Sequence, residues 1–178
     1  MNSKFEKLSQ LGAGEFEHLN GALIKHLNST YKLLVKWGAS TALCDPGLYH
    51  AAYGTAGFET QVVSLSQRSE IADTIGDTAE GIVYLYCSCD RDFVFKNFDA
   101  STSIKFKDRF TEKEFKLTQV QAHQFCELTV ANELELAIDS SDFLKEHGKD
   151  LLKLFLKMKP LLSQHANYIT VCYTFYVK

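Results

Sequence analysis

Proline is scarce here: two residues in 178, at Pro46 and Pro160. So few chain breakers leave room for long uninterrupted helices and argue against a many-turned β sandwich. Long apolar runs are missing too. No stretch reaches the roughly 18 consecutive apolar residues needed to span a bilayer, so no membrane segment is expected. An excess of positive charge is also lacking. The net charge of −3 gives no general attraction to phosphate backbones or anionic lipid, and neither nucleic acid nor membrane is expected as a partner. Five cysteines make an odd count with no metal-ligand spacing, since Cys87 and Cys89 are one residue apart while Cys44, Cys126 and Cys172 stand alone. Reduced, mostly buried thiols in a cytoplasmic protein fit this pattern. The opening Met1-Asn2-Ser3-Lys4-Phe5-Glu6-Lys7 has no apolar stretch after its lysine and does not read as a signal peptide.

What is present is ordinary for a globular chain: 46% hydrophobic and 23% charged residues. The length suits one domain over residues 1–178, able to bury about 70% of its unfolded surface. From about Phe16 to Trp37, apolar residues at Leu19, Leu23, Leu27, Leu34 and Trp37 form a helical stripe that ends at Gly38. His18, Ala22 and His26 lie along or beside it, because four residues advance a helix by about one turn. Ser40 can cap a second helix through Leu43, Leu48 and His50. Asp45-Pro46 leaves two options there, a start at Asp45 or a kink, since proline suits a first turn and not an interior.

Arg68 to Ile75 reads as a helix ended by Gly76. Asp77-Thr78-Ala79-Glu80 then has capping-box spacing ahead of a helix through Ile82, Val83, Leu85 and Tyr86. The alternation of Ile104, Phe106 and Asp108 with lysines and arginine, followed by Phe115-Lys116-Leu117, predicts one short β-hairpin over about 104–117. Thr118-Gln119-Val120-Gln121 is a second capping box, opening a helix to about Ile138. Ser141 opens a last long helix punctuated by Pro160. The tail 168–177 has strand-like composition and no obvious partner, so strand and helix both stay open.

Three residues interrupt otherwise apolar faces: His26, His50 and Asn132. Imidazole and amide groups are costly to bury unpaired, so each must find a partner inside. The histidines read as core residues bonded to each other or to Glu80, as metal ligands, or as ligand contacts. Asn132 reads as a structural hydrogen-bonder or a site remnant. Asp90-Arg91-Asp92 reads as a solvated loop in which Arg91 can hold an anion. Thr55 offers a hydroxyl to a ligand or simply ends a helix with Tyr53-Gly54.

The order of His26-Leu27, Trp37-Gly38, Gly47-Leu48-Tyr49-His50 and Tyr53-Gly54-Thr55 resembles the HD-domain superfamily of metal-dependent phosphohydrolases, in particular a divergent branch of bacterial proteins with Tyr-Gly-Thr after the second histidine. The likeness is good over residues 18–58 and thins through Ala79-Glu80, Asp90-Arg91 and Ala131-Asn132-Glu133. It implies an all-α, HD-like fold with one short hairpin, and metal ligands at His26, His50, Ala51 and Asn132. Two of those four lack the expected carboxylate, so hard ions such as Mg²⁺ or Mn²⁺ should bind poorly. Neutral imidazoles at His18, His26 and His50 would instead suit zinc, nickel or iron. The leading expectation is a degenerate HD-like domain whose inward polar pocket, formed by Tyr53, Thr55, Glu80, Arg91 and Asn132, binds a small molecule or a partner. The alternatives are a metal-dependent hydrolase of a small phosphorylated or nucleotide-like substrate, and a metal oxygenase, since the inositol oxygenases are HD-like.

Overall fold

The computed structural model describes residues 3–8, 10–11, 20–99 and 103–168. It is all-α with one two-stranded hairpin, and its internal contacts divide it into two compact units, Met1–Cys89 and Asp90–Lys178.

The first unit contains α1 (Ser3–Leu8), α2 (Asn20–Lys36), α3 (Thr41–Tyr49), α4 (Arg68–Ile75) and α5 (Asp77–Cys87). Of the stripe read from sequence, Leu27, Leu34 and the following Trp37 are almost fully enclosed and Leu23 is half-buried, while Phe16 and Leu19 lie outside the described residues. Gly38 ends the helix at φ +74°, a left-handed conformation that a side chain would resist. Pro46 does not start α3. The helix begins at Thr41 and carries Pro46 inside it, just before the close approach at Gly47. Ser64 and Gln67 form a reciprocal capping box that leads into α4, and Gly76 at φ +89° separates α4 from α5.

The expected capping box at Asp77 does not form. Gly76 is the N-cap, Asp77 is already the first helical residue, and Glu80 is drawn into a different set of bonds described below. In the interior α3 packs on α2 and on α5, while α4 packs on α5. Helix α1 is pinned to α3 twice: Lys4 pairs with buried Asp45 at 2.5 Å, and the Tyr49 hydroxyl donates to the Lys4 carbonyl at 2.7 Å.

The second unit contains α6 (Arg91–Lys96), β1 (Lys105–Lys107), β2 (Glu114–Lys116), α7 (Gln119–Asp139), α8 (Ser141–Met158) and a short helix α9 at 164–168. The Asp90-Arg91-Asp92 segment is not a loop. Asp90 caps α6 by accepting from the Phe93 amide at 3.1 Å, a bond that holds its carboxyl below the usual range. The hairpin falls where alternation placed it, in antiparallel register with Phe106 opposite Phe115. Fully buried Phe106 sets its ring edge-on against Phe125 of α7, with centroids 5.8 Å apart, which anchors the hairpin to the helix. Thr118 and Gln121 form the expected box at the start of α7. Pro160 sits in the 3-10 turn Lys159–Leu161 that ends α8, and the Leu161 carbonyl accepts from His123 of α7 at 2.8 Å. The four described cysteines are buried, as their spacing suggested. The ambiguous tail beyond Tyr168 lies outside the described residues.

Candidate functional site

The first unit brings His26 and His50 together although 24 residues separate them. His26 projects from the middle of α2, and His50 is the C-cap of α3. Their Nε2 atoms lie 3.2 Å apart, with ring centroids at 5.1 Å and ring planes nearly perpendicular at 84°. This close approach depends on Gly47. A Cβ there would meet Leu34 Cδ1 at 2.6 Å and the Tyr31 backbone at 3.3 Å, so a side chain at this position would require Leu34 to move and the two helices to give by a few tenths of an ångström.

Gly47 also fixes the chemistry of His50. Its carbonyl lies 2.8 Å from Nδ1, and a carbonyl only accepts, so Nδ1 carries the proton. In the neutral ring the Nε2 lone pair therefore faces His26. His50 is only 2% exposed, its ring meets Tyr86 edge-on at 5.6 Å, and its own carbonyl accepts from the Cys87 thiol. His26 is half-buried, leaving one side of the pair near solvent.

A second constellation in the same unit joins Tyr53, Glu80 and Arg68. The Tyr53 hydroxyl donates to Glu80 Oε1 at 2.9 Å, while Arg68 donates to both carboxylate oxygens, through Nε at 2.6 Å and Nη2 at 2.7 Å. The guanidinium also lies flat over the Tyr84 ring, 3.9 Å from its centre. Burial, reinforced by the Glu80 charge, pushes the Tyr53 phenol far above its ordinary range, so it stays a neutral donor. Thr55 turns elsewhere. Its hydroxyl accepts from the Phe58 amide at 3.1 Å, closing the tight 55–58 turn. Gly54, at φ +73°, lets that turn fold back to within reach of the Glu59 carbonyl.

Arg91 and Asn132 belong to the second unit and converge there. Both donate to Glu133 Oε1, Arg91 from Nη1 at 2.9 Å and Asn132 from Nδ2 at 3.0 Å. Two residues that sequence reasoning passed over thus organise the candidate sites: Arg68, which holds Glu80, and Glu133, which holds Arg91 and Asn132. Glu133 was visible inside the Ala131-Asn132-Glu133 segment. Arg68 gave no signal beyond its place at a helix start, because its partner lies 12 residues away on another helix.

The metal pattern expected from the family resemblance finds a partial fit. Ala51, where a carboxylate would stand, is buried and offers no ligand. Among the described residues no group of three or more His, Cys, Asp or Glu side chains gathers as a metal site, and His18 lies outside the described residues. His26 and His50 supply two nitrogen donors and no charge. That set suits borderline ions and disfavours Mg²⁺.

No helix of the described residues is long and apolar enough to cross a membrane. No curated protein and no solved structure matches the chain. Residues 7–91 match a family model described as a domain of unknown function (DUF6817), a span that nearly coincides with the first compact unit and takes in both the histidine pair and the Tyr53–Glu80–Arg68 set.

Proposed function

We propose that the first unit is a degenerate HD-like binding domain for a small ligand or partner, without the phosphohydrolase chemistry that the resemblance suggests. The observation that carries this reading is Ala51. It directly follows His50, is 3% exposed, and leaves the adjacent histidines without the carboxylate that a hard metal and its activated water require. The other buried polar groups support it as well. Glu80 and Tyr53 are committed to each other and to Arg68, so they line the interior without being poised for acid–base work.

The test is Ala51→Asp in the presence of Mn²⁺. On the binding reading the new carboxylate is buried without a partner, stability drops by roughly 2–4 kcal/mol, and Mn²⁺ leaves the melting temperature nearly unchanged. A large Mn²⁺-dependent rise in melting temperature, with phosphoester hydrolysis, would favour a hydrolase that lost its ligands and would sink the proposal.

A further inference from the structure

We infer that the second unit binds a primary alkylammonium group at the corner where α7 meets the turn that follows α8. This goes beyond the reading of the first unit and does not depend on it. Two short faces build the corner. His123 and Glu127 stand one turn apart on α7, and Ser163 and Asn167 stand one turn apart at α9, where the Asn167 backbone amide donates to the Ser163 carbonyl at 2.9 Å. Two bonds tie the faces together: His123 Nδ1 lies 2.8 Å from the Leu161 carbonyl, and the Ser163 hydroxyl donates to Glu127 Oε1 at 2.6 Å.

The polar side-chain atoms that these bonds leave over are acceptors. A carbonyl only accepts, so His123 Nδ1 carries the proton and the neutral ring keeps its lone pair on Nε2. Asn167 Nδ2 donates to the Leu162 carbonyl at 3.1 Å, which fixes the orientation of the amide. Its Oδ1 is then buried with no hydrogen-bond partner. Glu127 is 8% exposed, and its one side-chain bond among the described residues comes from the uncharged Ser163 hydroxyl. The buried carboxylates of Asp45, Glu80 and Glu133 differ, because each pairs with a lysine or an arginine. A buried carboxylate without a counter-charge is costly, and a cation brought by a ligand relieves that cost.

The acceptor set selects the cation. A primary ammonium carries three N–H donors, no acceptor and one positive charge. Its donors match Glu127 Oε2, Asn167 Oδ1 and His123 Nε2, and its charge balances the single carboxylate. A divalent ion fits less well: one carboxylate leaves half its charge uncompensated, and no three His, Cys, Asp or Glu side chains gather as a metal site among the described residues. His123 is half-buried, so the ammonium enters past its ring while the alkyl chain stays toward solvent.

The experiment follows backbone amide and histidine ring resonances of the full chain during titration with n-butylammonium at constant ionic strength. Tetramethylammonium, with the same charge and no N–H, is the control. Lysine blocked at both backbone ends is titrated in parallel; tighter binding of butylammonium assigns the corner to free amines, and tighter binding of blocked lysine assigns it to a lysine side chain of a partner. Expected are saturable shifts at His123 and Asn167, affinity at least about 10-fold weaker for tetramethylammonium, and a similar loss for butylammonium in Glu127→Gln, because each change removes charge-assisted hydrogen bonds. If Glu127→Gln does not fold, nuclear Overhauser contacts between the butyl methylene protons and the His123 ring in the unmutated protein replace it. Absence of saturable binding by either amine, equal binding of tetramethylammonium, undiminished binding in a folded Glu127→Gln, or absence of those contacts would each overturn the inference. None of these results touches the reading of the first unit, which the Ala51→Asp response to Mn²⁺ decides separately.

Discussion

Truncating Glu80 to alanine separates a structural network from a decorative one. Glu80 accepts three bonds, and the two donors lose very different amounts when it goes. Arg68 is 40% exposed along its side chain, so its guanidinium can hydrate and still stack on Tyr84. That half of the network is worth no more than a surface pair, about 0–1 kcal/mol. Tyr53 is wholly enclosed, and its hydroxyl would be left buried with no acceptor, at a cost of about 1–3 kcal/mol. Adding a small term for the lost methylenes, Glu80→Ala should destabilise the first unit by about 2–4 kcal/mol.

Tyr53→Phe removes the stranded hydroxyl, so it should cost about 1 kcal/mol alone and close to nothing in the Glu80→Ala background. The coupling expected from the double-mutant cycle is about 1 kcal/mol. Urea unfolding followed by tryptophan fluorescence reads this out cleanly, because Trp37 is the chain's single tryptophan and is buried in the first unit. A coupling near zero, or a Glu80→Ala cost under about 0.5 kcal/mol, would refute the assignment of Tyr53 as a buried donor that depends on Glu80.

Two further outcomes follow from the same helices. Burial, aided by the Asp45 charge, pushes the Tyr49 phenol up to about 12; it keeps its proton in the fold where the unfolded chain loses it near pH 10, so its stabilisation is complete below about pH 10 and declines as pH rises toward 12. An alkaline phenolate titration should show that Tyr49→Phe removes one late-ionising tyrosine and leaves that of Tyr53, and ionisation of every tyrosine near pH 10 in folded protein would contradict it. Gly47→Ala should force α2 and α3 apart, costing about 1–3 kcal/mol and loosening the His26–His50 contact. Unchanged stability together with unchanged histidine ring resonances in this variant would show that the approach of the two helices does not depend on glycine.

Local physics made much of this protein legible in its sequence. The apolar stripe of α2, the glycine stops at Gly38 and Gly76, the Thr118–Gln121 box and the hairpin alternation each depend on residues within a few positions, and each forms as read. The same locality explains the misreadings. Asp77–Glu80 has capping-box spacing, but Arg68 and Tyr53 offer the Glu80 carboxylate three bonds, which outweigh one exposed backbone amide at a helix start. Asp45-Pro46 left two options open, a helix start or a proline carried inside the helix that Ser40 caps, and the sequence could not choose between them because the choice rests on how α3 packs on α2 and α5.

The candidate site divides along the same line. That His26 and His50 face inward followed from their neighbours on an apolar stripe. That their Nε2 atoms meet at 3.2 Å, with His50 locked by the Gly47 carbonyl, was decided by how closely two helices cross. Side-chain pairing across that crossing depends on a backbone approach of a few ångströms, and no periodicity in the chain encodes a distance of that kind.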